Sequence, residues 1–312
     1  MYRYVLKRLL MMIPVLIGIS VIIFTIISLA PGNPGRLILG ERASPEAVSE
    51  LNAQLGFYDP LPVRYVNYMA NALRGDFGQS WRTGGNVADE IMNRFPTTLL
   101  LSVLVVSFVS VTAIPLGVMA ALKKDSVADG IGMIVALVFI AIPTFWLGLM
   151  LMLVFSLHLN LLPATGSERL VNFILPTITV SALSIAQIMR MTRSSMLEVL
   201  RQDYIRTAIA KGAENKTVIW RHAIRNALLP VITTMGVNFG YTLGGSVLTE
   251  TVFGMAGIGT LLLAAIRSQD VPVVMGCVLL MSFLFSAVTL LVDLSYGVID
   301  PRIKAQYSGI RR

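Results

Sequence analysis

Six long apolar segments, separated by stretches rich in charge, proline or glycine, organise this chain. They cover residues 9–29, 98–122, 131–157, 173–191, 227–248 and 272–296. A helix needs about 20 apolar residues to cross the hydrocarbon core of a bilayer, and each segment is close to or above that length. The pattern predicts an all-α polytopic membrane protein with six transmembrane helices.

Two of these segments carry features that affect the prediction. Segment 9–29 follows Arg3, Lys7 and Arg8 as a signal peptide would, but its 21 residues exceed the roughly 7 to 15 of a signal-peptide apolar region. It is therefore predicted to be the first transmembrane helix. Pro143 lies inside the third segment, where membrane helices tolerate proline as a kink, and it predicts a bend there.

The polar stretches divide the chain further. Residues 30–95 contain no run long enough to span and are predicted to form a small external subdomain. Within it, Ser44 and Pro45 are a typical helix start, and Val48, Leu51 and Leu55 give that helix one apolar stripe. Residues 1–29 hold the amino-terminal tail and first helix, 96–300 the core domain with a cytoplasmic loop at 190–228, and 301–312 a cytoplasmic tail.

Composition supports a membrane protein, and charge orients it. Hydrophobic residues make up 55% of the chain and charged residues 13%, about half the charge of an average soluble domain. With a cytoplasmic amino terminus, the cytoplasmic segments carry 17 Lys and Arg, against 2 in the two short external loops. Short cytoplasmic loops are enriched in Lys and Arg, so both termini are predicted to be cytoplasmic. This distribution accounts for the net charge of +8 without a nucleic-acid partner.

The loop 190–228 has a helical pattern of its own. Leu197, Leu200 and Ile205 recur at helical spacing, followed by Ala208 and Ile209. The pairs Glu198/Arg201 and Asp203/Arg206 are spaced for ion pairs on one helix. Lys211-Gly212 is a typical helix end, with Ala208 predicted on the same face as Gly212, and residues 214–226 predict a second short helix.

Enzymatic chemistry finds little support in the sequence. The two histidines, His158 and His222, have no ligand partner at metal spacing, and Cys277 is the single cysteine. The chain has no G-x-x-x-x-G-K-[ST] loop, and its glycines at 254, 257 and 259 do not have dinucleotide-binding spacing. No catalytic residue, metal site or bound cofactor is predicted.

The fifth apolar segment carries two stripes of small residues. Gly236, Gly240 and Gly244 repeat every four residues, a spacing that predicts close packing against another helix. A polar stripe lies on another side of this segment, and the fourth segment carries a matching one. Such stripes serve either interhelical hydrogen bonding or the wall of a translocation path, and their members are Asn238, Thr242, Thr249, Thr177, Ser181 and Ser184.

The placement of intramembrane charge tests whether this chain is an ion-coupled carrier. Asp293 and Arg190 lie near segment ends, and the interiors of the spans carry no other charge. Ion-coupled carriers usually need ionisable groups at membrane depth. The sequence therefore disfavours an autonomous secondary carrier or channel for small polar solutes, and this function is kept as the alternative hypothesis.

The cytoplasmic loop closely resembles the signature loop of ABC importer permeases. The resemblance rests on Asp203-Tyr204-Ile205-Arg206-Thr207-Ala208, on Ala210-Lys211-Gly212, and on the run from Arg221 to Leu229-Pro230. Arg206-Thr207-Ala208 and the long stretch after Gly212 are similar to the branch that imports dipeptides, oligopeptides, glutathione or nickel. External strings such as Gly75-Asp76-Phe77-Gly78 and the tail Asp300-Pro301-Arg302-Ile303 extend the similarity over nearly the whole chain.

The resemblance implies a type I importer permease fold and the B-type subunit of a larger assembly in the cell (inner or plasma) membrane. The implied partners are a second homologous permease subunit, two ATPase subunits that bind ATP and magnesium, an external solute-binding protein, and lipid. The residues implied to couple this chain to the ATPases are Asp203, Tyr204, Arg206, Thr207, Ala208, Lys211, Gly212, Arg221 and Arg225.

Overall fold

The structure, a computed structural model, describes residues 2–29, 32–40 and 42–299. The helices in this part of the chain are α1 (Tyr2–Leu29), α2 (Pro34–Leu39), α3 (Pro45–Gln54), α4 (Leu61–Ala72), α5 (Val87–Leu122), α6 (Val127–Ala141), α7 (Thr144–Leu151), α8 (Ile174–Leu200), α9 (Asp203–Ala210), α10 (Asn215–Thr217), α11 (Ile224–Leu243), α12 (Val247–Val252), α13 (Ile258–Arg267) and α14 (Val271–Ile299). π-Helical turns extend α7 (Met152–His158) and join α10 to α11 (Val218–Ala223), and a 3₁₀ turn (Leu170–Phe173) precedes α8. Among these residues β-pairing is limited to one isolated bridge, between Gln79 and Asn86, so the predicted all-α fold is confirmed.

Within the described residues, four helices are long and apolar enough to cross a membrane: Arg8–Leu29, Val87–Leu122, Leu170–Leu200 and Val271–Leu294. The third predicted span is a bent pair, because α6 and the helix Thr144–His158 meet at 100°. Ile142 between them has extended backbone (φ −78°, ψ 125°), as expected for a residue before proline, since the proline ring disfavours helical geometry there. The predicted kink at Pro143 is thus a near right-angle break.

The fifth predicted span corresponds to α11, which has 20 residues. It does not count among the helices apolar enough to span on their own. Thr233, Thr234, Asn238 and Thr242 dilute its apolar character. The count of six spans therefore stays a prediction at this helix.

The second span begins earlier than the apolar segment indicates. Helix α5 starts at Val87, inside the stretch predicted as external subdomain, because Asn86 caps it by accepting hydrogen bonds from the amides of Ala88 and Asp89. The stretch before it, predicted to lie outside the membrane and called the external part below, consists of α2 to α4. In α3, Ser44 accepts a hydrogen bond from the Ala47 amide as predicted, whereas Leu55 at the end of the apolar stripe is exposed.

Helix α4 fastens the external part to α1. The hydroxyls of Tyr65 and Ser20 lie 2.7 Å apart, and the Tyr65 ring packs edge-on against Phe24 at 5.5 Å. The guanidinium of Arg64 stacks over Phe57, with its carbon 5.0 Å from the ring centre. At the opposite end of α1, Arg8 forms an ion pair with Asp293 of α14.

The core forms where α5, α8 and α11 pack together. A Cβ built on Gly117 of α5 would lie 2.6 Å from both the Met189 carbonyl oxygen and the Thr192 Cβ of α8, so these two backbones approach at a distance only glycine allows. Leu101, Val105 and Val109 of α5 and Ala186 and Ile188 of α8 are buried in the same cluster.

Two of the three glycines of the predicted packing stripe face α14. A Cβ on Gly236 would lie 1.9 Å from Cγ2 of Val292, and one on Gly240 would lie 2.8 Å from the Phe285 ring. Gly244 differs, because it caps the end of α11 and the nearest atoms to an added Cβ belong to Tyr241 and Gly240 of its own helix. The helix ends before the repeat can bring the third glycine against α14.

Replacing Gly236 with Leu should therefore separate α11 from α14. Overpacking of a filled core typically costs about 1–3 kcal/mol, so we expect a lower unfolding temperature in detergent. Gly18 of α1 provides the control, since no other described part of the structure comes within 4 Å of an added Cβ beyond the helix's own nearby backbone. Equal melting temperatures for Gly236→Leu and Gly18→Leu would contradict the packing role.

Candidate functional site: the coupling segment

Residues 203–226, called the coupling segment below, leave the end of α8 through a sharp break. The sequence predicted one helix continuing from Leu197 to Lys211. Instead α8 ends at Leu200, Gln202 is extended (φ −71°, ψ 147°), and α9 starts at Asp203. Because the helix breaks here, Leu197, Leu200 and Ile205 can all pack on the same apolar cluster.

The second predicted helix, 214–226, is also not separate. From Asn215 the chain runs through the π-helical turn directly into α11, which ends at Leu243. The coupling segment is thus a short helix, α9, followed by the amino-terminal extension of the core helix α11.

Ile205 anchors α9 to the membrane helices. Its side chain is 1% exposed. It lies in a cluster, the anchor cluster, with buried residues of α5, α8, the π-helical turn and α11: Val118, Ala121, Met196, Val218, Ala223, Ile224 and Ala227. A displacement of α9 would therefore act on three core helices together.

The opposite face of α9 is free in this chain. Asp203 and Arg206 pair at 4.0 Å with side chains 99% and 75% exposed, a geometry in which an ion pair contributes little stability. The second predicted pair, Glu198 with Arg201, is not among the ion pairs of the described residues. Thr207 is exposed as well, and its hydroxyl donates to the Asp203 carbonyl. Ile209, 53% exposed, adds an apolar group to this face.

Gly212 ends α9 through a Schellman motif. Its φ is +81°, its amide donates to the Ile209 carbonyl at 2.9 Å, and the Ala213 amide donates to the Ala208 carbonyl at 3.2 Å. Apart from its two chain neighbours, no described residue has an atom within 4 Å of a Cβ built on Gly212. Ala208 is half-buried against the anchor cluster. The sequence predicted that Ala208 and Gly212 share one face of the helix. The left-handed turn takes Gly212 out of the helical register, so they do not.

The coupling segment also carries exposed basic side chains. Lys211, Arg221 and Arg225 are exposed, and Trp220 is 72% exposed. Tyr204 is tied down by its hydroxyl, which accepts a hydrogen bond from Asn226 at 3.1 Å. The segment therefore presents cations and apolar side chains together to a partner.

The polar residues of the two predicted stripes come together only in part. Asn238 and Thr242 of α11 and Ser184 of α8 line one small cavity, closed by valines of α5. Thr177, Ser181 and Thr249 are buried elsewhere. The Thr177 and Ser181 hydroxyls and the Asn238 amide nitrogen have no hydrogen-bond partner among the described residues. Their assignment to a translocation path stays a prediction.

The sequence prediction overlooked Glu250, which organises the glycine loop after α12. Its side chain is fully buried, and its carboxylate accepts hydrogen bonds from the Thr98 hydroxyl at 2.8 Å and the Thr260 amide at 3.0 Å. A Cβ on Gly257 would lie 2.4 Å from this carboxyl group. A single carboxylate directly after an apolar segment was the signal that could have revealed it.

The long apolar helices define an integral membrane protein, and the short amphipathic helix α9 lies beyond the end of α8 with one face exposed. The family described as the binding-protein-dependent transport system inner membrane component matches residues 113–305, and its amino-terminal counterpart matches residues 1–102. Together these matches cover almost the whole chain.

Two relatives align along nearly their full length. The chain is 41% identical to the dipeptide transport system permease protein of Alkalihalophilus pseudofirmus, over 97% of this chain and 100% of that protein. It is 40% identical to the glutathione transport system permease protein of Escherichia coli strain K12, over 97% and 99%. A structure of the methionine ABC transporter MetNI matches with a TM-score of 0.53 at 14% identity, over 68% of this chain and 96% of that chain, and shares the fold.

The chain belongs to the binding-protein-dependent transport permeases, and within them to the ABC importer permeases of the dipeptide and glutathione family. It is accordingly a multi-pass membrane protein and a permease subunit. The family implies a transporter complex with a partner permease, an ATPase and a solute-binding protein.

Removing the Ile205 anchor should loosen α9. Truncating a buried Ile to Ala typically costs about 2–5 kcal/mol, so amide hydrogen exchange in α9 should speed up more than about tenfold. Ile209→Ala is the matched control, since the same residue type on the same helix is 53% exposed. Slow exchange in α9 of Ile205→Ala would show that other contacts hold the helix.

Proposed function

We propose that this chain is the permease subunit of an importer for short peptides, of dipeptide or glutathione size. Support comes from the full-length identity of about 40% to permeases named for those two substrates. These relatives favour peptides over nickel, the other substrate class of the resembled branch. The chain would form the translocation path with a second, homologous permease subunit, and would receive its substrate from an external binding protein.

In this proposal the chain binds no nucleotide, and two partner ATPases bind ATP and magnesium. Their movement reaches the membrane through the coupling segment. The observation that carries the proposal is the two-sidedness of α9: Ile205 is buried in the anchor cluster, while Arg206 and Gly212 are open to a partner. A short helix held firmly on one side can transmit a push applied to the other.

An autonomous secondary carrier is the alternative, and the placement of charge disfavours it. In the described residues, Arg8 pairs with Asp293 near the ends of their spans, and Asp129 pairs with Arg193 near the ends of theirs. Carriers that bind a coupling ion place ionisable groups near the middle of the bilayer. A pathway driven by partner ATPases needs no such group.

The proposed orientation places both termini and the coupling segment in the cytoplasm of a cell-membrane protein. Reporters fused after Lys124, near Asn215 and after Lys304 should give cytoplasmic signals, whereas fusions near Asn71 and Thr165 should give external ones. Lys304 lies outside the described residues. A cytoplasmic signal at Asn71 would overturn this topology.

Gly212→Asn tests the coupling role. Asn tolerates the left-handed backbone, and its side chain has open space in this chain, so the variant should insert normally. A partner seated against the turn would clash with it. A loss of about 1.4 kcal/mol in the binding free energy of the ATPase would weaken its association about tenfold. Co-purification of the ATPases and peptide uptake would measure this effect.

Gly75→Asn is the matched control, since Gly75 has φ +84° and equally open space but lies in the external subdomain. It should retain ATPase association and uptake. Full association and uptake by Gly212→Asn would contradict the proposed contact. Ala208→Glu would test the coupling role less cleanly. Ala208 packs on the anchor cluster, so its replacement would also disturb the packing within this chain.

A further inference from the structure

A two-pronged ion pair joins α6 to α8 near the coupling segment. Nε of Arg193 donates to one carboxylate oxygen of Asp129 at 2.7 Å, and Nη2 donates to the other at 2.6 Å. The Asp129 side chain is 5% exposed and that of Arg193 21%. Such a fork-to-fork arrangement fixes orientation as well as distance, unlike a single contact.

Asp129 is itself held rigidly. It lies in the first turn of α6, where the helix dipole favours a negative charge, and its amide donates to the capping Ser126 hydroxyl at 3.3 Å. Its carboxylate also accepts from the Asp125 amide at 3.1 Å, in a turn where Asp125 has φ +62°. The pair therefore connects the start of α6, together with its preceding turn, to α8.

Beyond this pair, α6 is attached to the core by apolar packing. Ala136 is 2% exposed in the core cluster, whereas Ile131, Ile134 and Leu137 are each more than half exposed. At Gly132 an added Cβ would lie 2.8 Å from the flexible methyl end of Met189 of α8. The Asp129–Arg193 pair thus adds a directed polar contact to α8 at the first turn of α6.

The two helices joined by this ion pair lead to the anchor cluster at one end and to the glycine loop after α12 at the other. Three residues after Arg193, Met196 is fully buried in the anchor cluster that holds α9. At its other end α6 turns by 100° into α7. There a Cβ on Gly148 would lie 3.2 Å from the ring of Phe253, the residue that opens the glycine loop shaped by Glu250.

We propose that Asp129 and Arg193 are a positioning pair that makes α6 and α7 follow the cytoplasmic end of α8 when the coupling segment moves. The pair would carry that movement across the membrane to the loop that begins at Phe253. This inference rests on the proposed function, since it needs partner ATPases acting on α9.

The experiment uses the whole transporter in proteoliposomes with its binding protein and a dipeptide, and measures peptide taken up per ATP hydrolysed. Asp129→Asn and Arg193→Gln each leave a buried partner without its counter-charge, so both should lower thermal stability. The double variant Asp129→Asn/Arg193→Gln removes both charges and should recover stability. Its uptake per ATP should nevertheless stay at least fivefold below wild type, because two amides cannot reproduce the rigid fork.

Lys124→Gln is the control, since Lys124 pairs with Asp125 at 3.2 Å on the same turn and the two side chains are 43% and 77% exposed. It should match wild type in stability and in uptake per ATP. Wild-type uptake per ATP in the double variant would overturn the positioning role and leave the pair as an ordinary stabilising contact. Absence of ATP-driven peptide uptake by the wild-type transporter would instead overturn the proposed function, and this inference with it.

Discussion

The close approach of α5 and α8 at Gly117 is the contact on which the rest of the structure depends. In a lipid environment there is little hydrophobic drive between apolar helices, so association relies on van der Waals packing at short range. With an added Cβ only 2.6 Å from the Met189 carbonyl, this crossing has no room for any side chain at residue 117. Helix α11 packs on this pair, and α14 joins α11 over Gly236 and Gly240 in the same manner.

The end of this helix group that carries α9 holds that helix from one side. The last turns of α5 and α8 and the start of α11 each contribute to the anchor cluster around Ile205. A helix of eight residues is too short to be stable alone in water, so its conformation depends on this burial and on the Gly212 turn. One side of α9 is thereby committed to the membrane helices, and the other remains available.

At the other end of the molecule, buried acidic side chains hold loops against the helices. Glu250 holds the loop between α12 and α13 against Thr98 of α5. Asp270, before α14, accepts hydrogen bonds from the Ser80 hydroxyl at 2.5 Å and the Trp81 amide at 3.2 Å, and so connects the external part to the helix bundle. Because an unpaired buried carboxylate is costly, these loops are confined to conformations that supply the donors.

The sequence by itself determined the features that depend on neighbouring residues. Apolar run length predicted the membrane helices, Ser44 predicted the start of α3, and Lys211-Gly212 predicted the end of α9, because span length, capping and left-handed turns are local properties.

The tertiary structure alone decided which faces meet. It showed that the chain breaks at Gln202 and that Ala208 turns inward. It also showed that Gly117 rather than Gly244 is a helix contact, and that Asp129 finds Arg193 across 64 positions. Helical periodicity specifies a face and not its partner, so these pairings emerged only once the helices were packed.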